Sequence, residues 1–77
     1  MMTFTWLAER GRDNHGHNDI LGVLADGVEY AVYFSDEAKQ DFDDDEAVAM
    51  AECRSIAERK IARDPSIREV RVTTADR

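Results

Sequence analysis

The dipeptide Asp26-Gly27 separates two segments rich in β-formers, and it constrains the fold more than any other feature of the chain. Glycine supplies the positive φ that a tight hairpin turn needs, so the apolar run 20–25 and the segment 28–34 are expected to pair antiparallel. Along 28–34 the side chains alternate. Val28, Tyr30, Val32 and Phe34 fall on one face, Glu29, Ala31 and Tyr33 on the other, and the first face is the expected core side. Upstream, Phe4 and Trp6 at alternate positions read as a first strand over 3–10. Residues 11–19 are turn formers and polar groups, hence a loop.

A helix is expected over about 44–63. Asp43 with Glu46 three residues on fits a capping box, and Arg59, Lys60 and Arg63 crowd the last turn, where cations suit the helix dipole. Asp64-Pro65 ends it. At 100° per residue, Ala49, Met50, Cys53, Ile56, Ala57 and Ile61 gather on one side, which should lie on the sheet. Segment 67–74 alternates Val70 and Val72 with arginine and reads as a last strand. The expectation is an α+β fold in β-β-β-α-β order, an antiparallel four-stranded sheet with one helix packed on one face.

With 77 residues the chain is expected to form a single domain over 1–77 with a thin core, since roughly 60% of the unfolded surface is buried at this size. The single Cys53 has no internal disulfide partner, which favours a reducing, cytoplasmic setting. No apolar run approaches the roughly 18 residues that span a bilayer, and the N-terminal stretch lacks the pattern of a signal peptide. Residues 1–52 hold thirteen acids and three bases, and residues 53–77 four acids and seven bases, within an overall charge of −7. Such a distribution repels nucleic acid from the acidic part and attracts basic protein surfaces.

Several constellations could carry chemistry. In the run 41–46, Asp41, Asp43 and Asp45 stand at the first, third and fifth positions of a calcium loop with Glu52 at the twelfth, but Glu46 occupies the position that needs glycine. His15 and His17 could share a metal on an extended strand, yet further ligands are distant, so a polar loop is the simpler reading. No metal or cofactor is expected. Nor is catalysis: the one thiol lies on the core stripe, and no phosphate loop or dinucleotide fingerprint is present. The acidic run itself is the stronger candidate. Asp36, Glu37, Asp41, Asp43, Asp44, Asp45 and Glu46, gathered at one end of the sheet, could imitate a row of phosphates for a protein built to hold nucleic acid; solubility alone is the competing account. Tyr33, on the face opposite the core, could anchor an interface. Val48, Ala51 and Ala62 on the outer helix face could serve a homodimer, or reflect helix propensity alone.

The segment from Ala25-Asp26-Gly27 to Phe34-Ser35-Asp36, with Asp45-Glu46-Ala47 opening a helix, resembles the HicB-like antitoxin domain. That resemblance covers about residues 20–63 and implies binding of a small basic toxin. In size, acidity and simple α+β order the chain also resembles anti-CRISPR proteins, phage-borne inhibitors of RNA-guided nucleases. That likeness implies a non-enzymatic inhibitor covering a basic nucleic-acid channel of a CRISPR effector complex, in the host cytoplasm, with neither nucleic acid nor membrane as a direct partner.

Overall fold

The computed structural model describes residues 2–12 and 18–76. Its elements are β1 (Phe4–Trp6), β2 (Gly11–Arg12), β3 (Asn18–Ala25), β4 (Val28–Ser35), α1 (Asp36–Phe42), α2 (Glu46–Arg63), β5 (Glu69–Val72) and a final 3-10 turn, Thr74–Asp76. The β3–β4 hairpin is the centre of the sheet. Asp26 and Gly27 both have positive φ, 51° and 85°, which the mirror-image turns favoured in two-residue hairpins require. From this turn the pairing runs without a break from Ala25↔Val28 to Asn18↔Ser35. The strand therefore begins at Asn18, inside the stretch expected to be loop.

β1 lies antiparallel along β3 with Phe4 opposite Ala25, and β2 continues on the same edge with Gly11 opposite Ile20. Between them, Leu7 N donates to Gly22 O at 2.9 Å and Arg10 N to Ile20 O at 2.8 Å. One edge lane, broken in the middle, thus replaces the continuous strand expected over 3–10. Gly22 allows the close approach. A Cβ there would sit 2.9 Å from the Arg10 guanidinium and 3.2 Å from Leu7 Cδ1.

β5 pairs parallel to β4, with Val32 opposite Val70 and Phe34 opposite Val72. The sheet order is β1-β3-β4-β5, with β2 also paired to β3. The sheet is mixed, and the antiparallel expectation fails at this one junction. The reason lies in α2: its 18 residues span about 27 Å, enough to carry the chain back to the end of the sheet where β4 begins. A strand that follows such a return runs in the same direction as the one before it.

A second departure is α1, a helix in the segment expected to be irregular. Ser35 opens it, its Oγ accepting from Ala38 N at 3.0 Å, and Ala38 and Phe42, four residues apart, are its buried stripe. Two apolar residues are too few for periodicity to show, but one turn of spacing suffices to seat seven residues on the core. The element order is therefore β-β-β-β-α-α-β, with two helices on one face of the sheet.

Between the layers lie Leu21, Val23 and Ala25 of β3, Tyr30, Val32 and Phe34 of β4, the α2 stripe Ala49, Cys53, Ile56, Ala57 and Ile61, and Val70 and Val72 of β5. Burial of each larger side chain is worth roughly 2 kcal/mol. Met50 packs at the rim of this cluster, half-buried. Val28, expected in the core, is 39% exposed, at the first position after the Asp26-Gly27 turn. Two polar links cross the layers. Tyr30 hydroxyl donates to Pro65 O at 2.6 Å, and Trp6, its ring centre 5.9 Å from that of Phe34 and tilted 45° to it, donates from Nε1 to Glu58 Oε2 at 2.8 Å. Among the described residues no helix is long and apolar enough to cross a membrane.

Candidate functional site: an acidic corner between the helices

At the end of β4 the chain turns through Ser35 into α1, bends sharply at 43–45, and enters α2. The bend is made by aspartates. Asp43 ends α1, and its Oδ1 accepts from Asp45 N at 2.8 Å; Asp45 then caps α2, its Oδ1 accepting from Ala47 N at 2.9 Å. Asp45 is therefore the N-cap in place of Asp43, and α2 starts at Glu46 rather than near 44. Glu52 falls within α2, and nine of the twelve residues counted as a calcium loop lie in α1 or α2, so the segment cannot wrap an ion. Among the described residues no group of three His, Cys, Asp or Glu converges as a metal requires. His15 and His17 lie outside the described residues.

The corner encloses a cleft of about 420 Å³ lined by Asp36, Lys39, Gln40, Asp43, Asp44 and Glu46. Four of the expected site residues, Asp36, Asp43, Asp44 and Glu46, thus meet around one concavity. Glu37 lies apart from it. It borders a second depression of about 230 Å³ with Asn18, Ser35, Asp36, Thr73 and Thr74. Asp41 is exposed on α1, and Asp45 is exposed but committed to its cap. Tyr33 does not join the cluster. It sits on the open face of the sheet, half-buried, with the Arg71 guanidinium 4.5 Å from its ring centre.

Lys39 is the residue the sequence did not single out. Its ammonium is bound by Asp19 and lies 3.3 Å from Asp36 Oδ1. The side chains of Lys39 and Asp19 are only 12% and 9% exposed, so the pair is largely shielded from solvent. Burial draws the Lys39 pKa down, but hydrogen bonds and charges from Asp19 and then Asp36 outweigh it and hold the pKa above its ordinary 10.5. The one cation among the cleft-lining residues is thus engaged internally, by a carboxylate of the sheet and one of its own helix. A signal for this existed in the sequence: Asp19 is in phase with the core residues Leu21, Val23 and Ala25, so it points toward the helices.

Cys53 is fully buried, and burial, with Glu52 adding to it, pushes its thiol up to about 11. At neutral pH it is a packed thiol and no nucleophile. Compared with protein-family models, with curated proteins and with solved structures, the chain matches none.

Proposed function

We propose that the protein is a binding protein, not a catalyst, and that its acidic corner docks on a basic protein surface built to hold nucleic acid. The observation that supports this most is the meeting of Asp36, Asp43, Asp44 and Glu46 around one cleft whose lysine is already tied to Asp19. Carboxylates held on a rigid helix–helix corner offer an array of oxyanions at fixed spacing, as a phosphate backbone does. A partner would add lysine or arginine from outside. The partner class we favour is the nucleic-acid channel of a bacterial defence complex, in which case the chain acts as an anti-CRISPR-like inhibitor.

The test is competition. A guide-loaded RNA-guided nuclease is titrated with the protein, and displacement of target DNA is followed at two salt concentrations. Displacement should weaken as salt rises, and an Asp44→Asn/Glu46→Gln variant, which removes two cleft carboxylates and leaves both caps intact, should associate more slowly. An unaltered nuclease removes the defence-complex reading. A variant that competes as well as the wild type removes the acidic corner as the working face.

A further inference from the structure

We propose that the outer edge of β5 is a self-complementary surface that pairs two copies of this chain only when a latch formed by Lys60 and Asp76, which keeps it closed, is opened. The argument begins with the parallel register of β4 and β5. Ala31 N donates to Arg68 O at 2.9 Å, and Val32 stands opposite Val70. In an extended strand the backbone groups of successive residues alternate in direction. Those of Arg68, Val70 and Val72 therefore point to β4, and those of Glu69 and Arg71 point away from it, to the open edge.

The side chains at these two positions are complementary to themselves under a two-fold axis. Both are exposed and on the face of the sheet opposite the helices, where the stack of Arg71 on Tyr33 holds the guanidinium. When a second β5 is laid antiparallel about Val70, Glu69 meets Arg71 of the second copy, and Arg71 meets its Glu69. These are also the positions whose backbone groups face outward, so each opposed pair forms two ladder hydrogen bonds. Opposite charges across such a pair stabilise the register.

The chain itself occupies part of this edge. Lys60 Nζ donates to Arg71 O at 2.9 Å, taking the acceptor that the Glu69 N–H of the second copy would use. Asp76 Oδ1 holds the same ammonium at 2.5 Å, while Asp76 Oδ2 accepts from Thr73 N at 2.8 Å, the next outward donor. An uncovered edge strand invites pairing, and covering its backbone groups prevents it. The last turn of the chain and one lysine of α2 do this here.

Sedimentation velocity at rising protein concentration tests the proposal. The wild type is expected to remain monomeric, and Lys60→Met/Asp76→Asn, which keeps the methylene stem of residue 60, is expected to shift toward dimer. Asp76→Asn alone, which leaves α2 untouched, should show a smaller shift in the same direction, so the test does not hang on the folding of the double variant. Adding Glu69→Arg to the unlatched chain sets arginine against arginine and should return it to monomer. Adding Glu69→Arg with Arg71→Glu should restore the dimer. Unlatched variants that sediment as the wild type does, a dimer indifferent to Glu69→Arg, or a wild type that already dimerises would each overturn the proposal.

Discussion

The carboxylate of Asp19, on the helix side of β3, binds the ammonium of Lys39 in the middle of α1, and both are largely shielded from water. This pair ties the acidic corner to the sheet. Breaking it should therefore loosen α1 specifically. Asp19→Ala leaves a shielded ammonium without its main partner and should cost on the order of 3 kcal/mol in urea unfolding, read by Trp6 fluorescence. The double variant Asp19→Leu/Lys39→Met should recover most of that loss, because no unpaired charge remains. A double variant as unstable as the single one would mean that shape, and not charge, sets the cost.

The two shifted ion pairs place opposite limits on stability against pH. The Lys39 pKa is raised in the folded state, so its contribution is complete below 10.5 and is lost as pH rises through the higher folded value. The Asp76 carboxyl is drawn up by burial, but hydrogen bonds from Lys60 and Thr73 and the charge of Lys60 outweigh this and hold it below 3.8. Its contribution is present above 3.8 and is lost as pH falls through the lower folded value. Thermal melts from acid to alkali should show that Asp76→Asn flattens the acid limb and Lys39→Met the alkaline limb. Exchange of these two effects would contradict the assignments.

The bend at 43–45 makes a prediction about caps. Asp45→Ala removes the side chain that accepts from Ala47 N and should cost about 1 kcal/mol, whereas Glu46→Gln, which caps nothing here, should cost little. Comparable losses in the two variants would restore the capping box centred on Asp43.

Cys53 reports on opening of the helix layer. With its thiol buried and pushed up to about 11, alkylation by a neutral-pH reagent should be far slower in the folded chain than in the urea-unfolded one. Rates that are alike in the two states would place the thiol at the surface.

Millimolar calcium should shift melting no more than magnesium does, because Glu52 is held within α2 and cannot come round to an ion at the aspartate bend. A calcium-specific rise in melting temperature, measured against magnesium at the same concentration, would reverse this.

What the sequence alone determined is what depends on neighbours along the chain. The Asp26-Gly27 hairpin, the alternation of Tyr30, Val32 and Phe34, and the stripe Ala49, Cys53, Ile56, Ala57 and Ile61 follow from turn stereochemistry and from periods of two and 3.6 residues. The clustering of acids was legible as well, since it is a run. What only the tertiary structure decided depends on which end of the sheet the chain has reached. The direction of β5 follows from the return through α2, and no local pattern in 69–72 encodes it. α1 exists because Ala38 and Phe42 are buried in the core they share with the sheet and α2; alone, seven residues would not repay the entropy of helix nucleation. Lys39 could be counted in the sequence as a charge, but its role as the tie between corner and sheet required Asp19 to be brought beside it from 20 residues away. Long-range pairs of this kind arise from packing, and packing is what the order of residues along the chain does not state.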